Sequence, residues 1–257
     1  MRSLFGTVFF LFLYTSMSAQ FAENIRSGRP GQFIGPYTLG AKVLQVQSGL
    51  NYNSIDFDLN EERSFYLFNN VIRLGLVEKW EVSGVLNWRQ DRFVINGEEE
   101  RTSGVSNTQL GVRYNILEGT STRPAIGIQG RVLLRAQSEP YRRQQLGSTF
   151  ILIVAQNIND WLSIIGNGGL SWRDNNSSPR SFYAVGANYT LSEKWSAFSE
   201  IYGNIEGFNA NFDAGLAYLI NEDFQLDVFG GWQGQEGVQD WFLEGGISWR
   251  IVWREEN

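Results

Sequence analysis

The sequence predicts an all-β chain: a single transmembrane antiparallel β-barrel of 12 strands with both termini periplasmic. Three observations point there. A short polar turn, an aromatic residue and an alternating strand recur in that order, as Val77-Glu78-Lys79-Trp80, Asn157-Ile158-Asn159-Asp160-Trp161, Ser192-Glu193-Lys194-Trp195 and Asn221-Glu222-Asp223-Phe224. The segments between these turns and the longer loops run about ten residues and alternate apolar with polar, as lipid-facing and lumen-facing side chains must. Beyond residue 20 the longest wholly apolar run is Phe150 to Ala155, far below the ~18 residues a membrane helix needs.

The elements follow in order. Residues 1–19 read as a signal peptide to be removed: Arg2, an apolar run from Leu4 to Tyr14, then small residues around Ser18 and Ala19. Residues 20–42 form an N-terminal segment, rich in glycine and carrying Arg26, Arg29 and Pro30, that either folds into the barrel or lies in the periplasm. The barrel itself spans 43–253, and 254–257 is a short polar tail. The first strand, Val43 to Asn53, sets Leu44, Val46, Leu50 and Tyr52 against Gln45, Gln47 and Asn51. The second, Phe65 to Leu76, turns Tyr66, Phe68, Ile72 and Leu74 outward and Asn69, Arg73 and Gly75 inward. The third opposes Trp80, Val82, Leu86 and Trp88 to Glu81, Ser83, Asn87 and Arg89. The fourth opposes Leu110, Val112, Tyr114 and Ile116 to Asn107, Gln109, Arg113 and Asn115.

The turn from Glu118 to Arg123, followed by Pro124, leads to the fifth strand, with Ile126, Ile128, Val132 and Leu134 outward and Gln129, Arg131 and Arg135 inward. Strands six to eight (147–156, 161–172 and 181–191) carry apolar or small residues on both faces, so periodicity assigns no parity. Gly166, Gly168 and Gly169 in the seventh either ease curvature or mark a weak point for sideways release. Alternation returns in strands nine to twelve, which turn Glu200, Asp213, Asp227 and Glu244 inward, and the last strand sets Trp241, Leu243, Ile247, Trp249 and Trp253 outward.

Composition removes whole classes of function. The chain has no histidine and no cysteine, which excludes histidine general bases, imidazole or thiolate metal sites and disulfides. No catalytic, cofactor-binding or metal site is expected, and the protein is not read as an enzyme. A net charge of −6 argues against nucleic acid and against a polybasic lipid patch. The expected partners are outer-membrane lipid and lipopolysaccharide, an unidentified small solute, and the barrel-assembly machinery during biogenesis. The loops near 54–63 and 91–104 are expected to be acidic outer loops, with Asp56, Asp58, Glu61, Glu62, Glu98, Glu99 and Glu100, able to be solvated or to bridge lipopolysaccharide through divalent cations.

Arg29-Pro30, Gly35-Pro36-Tyr37-Thr38 and Leu44 to Gly49 resemble the opening of the outer-membrane barrel family named for the MetA pathway of phenol degradation. Ile72-Arg73-Leu74-Gly75-Leu76 with its tryptophan turn, and Gln109 to Gly119 running into Arg123-Pro124-Ala125-Ile126, are similar in the same order. The chain departs from that pattern at Gly28 and at Leu133-Leu134-Arg135-Ala136. The resemblance implies an outer-membrane transporter for small, often hydrophobic molecules, with no catalytic residues to carry over.

The inward positions give a candidate lumen. Arg73, Arg89, Arg113, Arg131 and Arg135 form a basic wall on strands two to five, facing Glu200, Asp213, Asp227 and Glu244. Two walls of opposite sign would tune passage of small polar solutes through a narrow pore. The same arginines could instead pair with the carboxylates and close the bore, with residues 20–42 as a plug. A closed structural or adhesive barrel acting through its acidic outer loops is the alternative function.

Overall fold

The computed structural model describes residues 24–57, 61–173, 178–235 and 238–253. The expected signal peptide, residues 20–23, Asp58 and the polar tail lie outside the described residues. The chain forms twelve antiparallel strands: β1 (Val43–Phe57), β2 (Glu61–Val77), β3 (Trp80–Ile95), β4 (Glu98–Leu117), β5 (Ala125–Leu133), β6 (Gly147–Asn157), β7 (Leu162–Trp172), β8 (Arg180–Thr190), β9 (Trp195–Asn204), β10 (Asn211–Asn221), β11 (Phe224–Gln235) and β12 (Val238–Val252). Each strand pairs with its sequence neighbours, and β1 closes on β12 from Val43↔Val252 to Phe57↔Val238. Closure leaves no unpaired edge, which a hydrocarbon environment would not tolerate.

Strand alternation sorts the two faces. In β1, Gln45, Gln47, Asn51 and Asn53 are buried inside while Leu50 is exposed. Ile72, Leu86, Leu110, Leu216, Leu243 and Trp249 stand on the outer wall, and so continuous an exposed apolar surface suits lipid rather than water. At the short-turn end, cross-strand aromatic pairs form a girdle: Trp80–Tyr114 with ring centroids 4.5 Å apart, Trp195–Tyr218 at 4.7 Å and Trp161–Tyr189 at 6.5 Å. The tryptophan after three of the turns, Trp80, Trp161 and Trp195, therefore has an aromatic partner on a neighbouring strand.

The acidic segments expected as loops are largely strand. β1 and β2 pair as far as Phe57↔Glu61, and β3 and β4 as far as Ile95↔Glu98. Asn96 and Gly97, both at positive φ (53° and 86°), make the tight turn between β3 and β4. Charge does not prevent strand pairing here because Glu99 bridges two arginines, accepting from Arg92 at 2.8 Å and from Arg101 at 2.5 Å. The fifth strand is shorter than expected and ends at Leu133. Beyond it the Leu134 amide donates to the Thr108 carbonyl, and the Gln137 side chain donates back to the Leu134 carbonyl at 2.7 Å, turning the chain along β4. A single 3-10 turn, Glu139–Tyr141, lies in this loop.

β7 is unbroken. It pairs with β6 from Ser163 to Trp172 and with β8 from Leu162 to Ser171, so its glycines interrupt no ladder. The parity that periodicity left open is now fixed: Ile151, Ile153, Ala155, Ile165 and Ala184 face inward and are buried, while Phe150, Leu152 and Val185 face out. This sector of the lumen is apolar.

Candidate functional site

The apolar sector exists because the N-terminal segment fills the barrel. Both its ends are fixed at the short-turn end. The Ile25 amide donates to the Glu222 carbonyl of the β10–β11 turn at 2.8 Å, and the Lys42 amide donates to the Gly75 carbonyl at 3.2 Å. Between them the chain loops into the lumen and crosses it.

Arg29 is the deepest charged anchor. Its Nη1 donates to Glu244 Oε1 at 2.5 Å and to Asn69 Oδ1 at 2.8 Å, while Nη2 donates to Asp227 Oδ1 at 2.9 Å. The guanidinium lies over paired glycines on β1 and β12, Gly49 and Gly246, where any Cβ would stand within 2.3 Å and 2.2 Å of its nitrogens. Asn51 and Asn69 donate to the remaining Glu244 valences, so the buried cluster is hydrogen-bonded on both sides.

Beyond Arg29 the segment is held mainly through its backbone. The amides of Gln32 and Phe33 donate to the two oxygens of Glu200. Ile34 exchanges two hydrogen bonds with the Asn167 side chain, at 2.7 and 3.0 Å. The carbonyl of Pro36 accepts from Asn115 at 3.2 Å and that of Tyr37 from Arg113 at 3.3 Å. The Thr38 hydroxyl then donates to the Glu78 carbonyl at the β2–β3 turn. Phe33 drops into the apolar sector, edge-on to Phe198 at 5.9 Å, with Phe229 and Phe242 continuing the stack and Ala155, Ile165 and Ala184 packed beside them. The lumen thus contains a small hydrophobic core of its own, which explains why β6–β8 show no polar parity.

The segment divides the remaining space. On the long-loop side a cavity of about 400 Å³ lies over Gly28–Gln32, bounded by Asn51, Asn69, Asn87, Asn107, Gln109, Arg113 and Arg131. A second of about 430 Å³ adjoins it towards Tyr183 and Tyr202. A third of about 300 Å³ lies on the short-turn side, against Tyr37, Asn188 and Gln225.

The charged residues singled out in the sequence do not all meet. Arg73 is buried and makes a two-pronged ion pair with Glu81, both contacts at 2.8 Å. Arg89 stands nearer the outer rim, paired with Asp91 and stacked over Phe65 at 3.6 Å. Arg113 and Arg131 both reach the Gln129 side-chain oxygen, at 3.4 and 3.0 Å. Arg135 is exposed beyond the end of β5, donating to the Arg143 carbonyl at 3.2 Å, and does not line the lumen. Glu200 faces Asp213 across the β9–β10 register, and both are buried. Asp227 and Glu244 are held by Arg29. The ion pairs therefore run along the wall or to the inserted segment, rather than across the bore.

Arg29 and Asp91 carry more than their sequence positions suggest. Asp91, in a segment read as a loop, accepts from Arg63, Arg89 and the Tyr141 hydroxyl, tying the loop after β5 to the rim. Burial pushes the Tyr141 phenol up to about 12, with the Asp91 carboxylate beside it acting in the same direction.

Residues 27–251 match the family described as the MetA-pathway of phenol degradation. The chain belongs to that family. The match opens just before Arg29 and so includes most of the inserted segment as well as the barrel. Among solved structures, the COG4313 outer membrane channel from Pseudomonas putida F1 is similar with a TM-score of 0.67 at 11% identity, covering 87% of this chain and 99% of that one. The KdgM porin in complex with disordered oligogalacturonate matches at 0.54 and 11%, covering 78% and 98%. The translocator domain of the autotransporter NalP from Neisseria meningitidis matches at 0.51 and 10%, covering 81% and 88%. No curated protein sequence matches. The shared fold is the outer-membrane barrel of Gram-negative bacteria, and the exposed apolar belt is its lipid-facing surface.

Proposed function

We propose that the protein is a narrow outer-membrane pore for passive uptake of small molecules, restricted by residues 24–42 lying across its lumen. The observation that carries this is the seating of Arg29 on Asp227 and Glu244, which fixes the segment between two cavities with polar linings. A filled structural barrel would not need polar cavities on both sides of its plug. Family membership supports the reading, as does the likeness to two solved structures, a channel and a porin.

The short-turn end, where residues 25 and 253 lie, faces the periplasm, and the longer β3–β4 hairpin faces outward. Lipopolysaccharide meets the outer part of the apolar belt and the charged hairpin rims. The barrel-assembly machinery inserts the chain. The test is swelling of liposomes containing the purified mature protein in isosmotic solutes of increasing size. Swelling with solutes the size of a pentose, fading with disaccharides, is expected. Rates equal to protein-free liposomes for every solute would overturn the proposal.

A further inference from the structure

We infer that the long-loop-side cavity is a binding site for a small hydroxylated carboxylate, held by Arg113 and Arg131. Three guanidiniums of the lumen have a carboxylate partner: Arg73 has Glu81, Arg89 has Asp91, and Arg29 has Asp227 and Glu244. Arg113 and Arg131 have none among the described residues. Their shared contact is the neutral amide oxygen of Gln129, and Arg113 Nε is buried with no hydrogen-bond partner. Two cationic side chains converging on one amide, with no carboxylate in contact among the described residues, are costly unless an anion joins them. Arginine's planar donors suit a carboxylate.

The strands place these groups around a recess. Gln109, Gly111 and Arg113 follow one another on the inner face of β4, with Arg131 opposite Gly111 on β5. Gly111 lets Ser83 and the Arg131 stem close over the strand there, since a Cβ would stand 2.6 Å from the Ser83 hydroxyl and 3.4 Å from Arg131 Cγ. Just above, Asn87 and Asn107 face each other across β3 and β4. The side-chain oxygens of Asn87, Asn107 and Gln109 are buried and unpartnered. They are acceptors awaiting donors, and a hydroxylated molecule supplies those. An ammonium group would favour a free carboxylate, but the two that line this cavity, Glu81 and Glu244, are already engaged by Arg73 and by Arg29 with two asparagines. The volume of about 400 Å³ falls in the range of ligand pockets, roughly 300–1,000 Å³.

This inference rests on the pore reading for the route by which the anion arrives, but binding can be measured without transport. The experiment is calorimetric titration of the folded, detergent-solubilised mature protein with sodium glucuronate, with glucose as the uncharged match. Parallel titrations use Arg131→Gln and Arg131→Lys, with folding checked by heat-modifiable gel mobility, and Arg113→Gln serves as a second loss-of-charge variant. Glucuronate should bind and glucose should not, and Arg131→Gln should weaken binding by about tenfold, the equivalent of one charge-assisted hydrogen bond. Arg131→Lys should recover part of that loss. Absence of glucuronate binding to folded protein, equal binding of glucose, or affinity unchanged in both glutamine variants would overturn the site. Liposome swelling separates the two readings. Binding without swelling keeps the site and removes the pore, whereas swelling without glucuronate binding keeps the pore and removes the site.

Discussion

Arg29 contributes through what surrounds it. A guanidinium with a side chain only 9% exposed meets two carboxylates and an asparagine, on a floor where both strands carry glycine. Arg29→Ala would leave Asp227 and Glu244 buried together without a cation, a change that typically costs about 3–5 kcal/mol. Denaturant unfolding of the purified barrel should show a loss of that order. Arg113 is the complementary case, a buried charge facing the cavity with no carboxylate of its own. Arg113→Glu should shift the reversal potential across a salt gradient towards cations, and an unchanged potential in a conducting channel would exclude Arg113 from the ion path. Asp227→Arg is not an equivalent reversal, because Asp227 lies behind Arg29 and the substitution would unseat the segment rather than recolour the pore.

At the scale of elements, the inserted segment depends on inward glycines as much as on charge. Gly49→Leu would place a side chain where Arg29 now lies, leaving every charge in place. Larger conductance from this variant is expected if seating, rather than net charge, restricts the bore. The β9–β10 loop carries a separate device. Glu206 accepts from the Ser181 hydroxyl at 2.7 Å and from the Ser181 amide at 2.8 Å, and these bonds hold its carboxyl below the usual range. A carboxyl lowered in the folded state supports the loop above its unfolded pKa of about 4.3 and loses that support as pH falls through the folded value. Exchange of the Ser181 amide hydrogen, corrected for its intrinsic pH dependence, should therefore lose protection in acid, and Glu206→Gln should remove the pH-dependent part.

For the molecule as a whole, strand number, closure and most of the inward positions were readable, because lipid on one side and polar lumen on the other impose period-two alternation. The reading stopped where that contrast stops. In β6–β8 the interior is apolar, because Phe33 and the Phe198–Phe229–Phe242 stack fill it, so Ile153 and Ile165 look like their lipid-facing neighbours. Past the apolar belt, β3 and β4 continue as a charged ladder that reads as loop. Arg135 follows the alternation of β5, yet the strand has already ended at Leu133. The role of Arg29 required three distant positions, Gly49, Asp227 and Glu244, to be seen side by side.

In the proposed function, residues 24–42, latched by Arg29, restrict a pore. Single-channel conductance in planar bilayers of the mature protein beside its Arg29→Ala variant, both shown to be folded, tests this. Small or rare steps are expected for the parent and larger, more frequent steps for Arg29→Ala. Identical conductance from the two would mean that Arg29 latches no restriction.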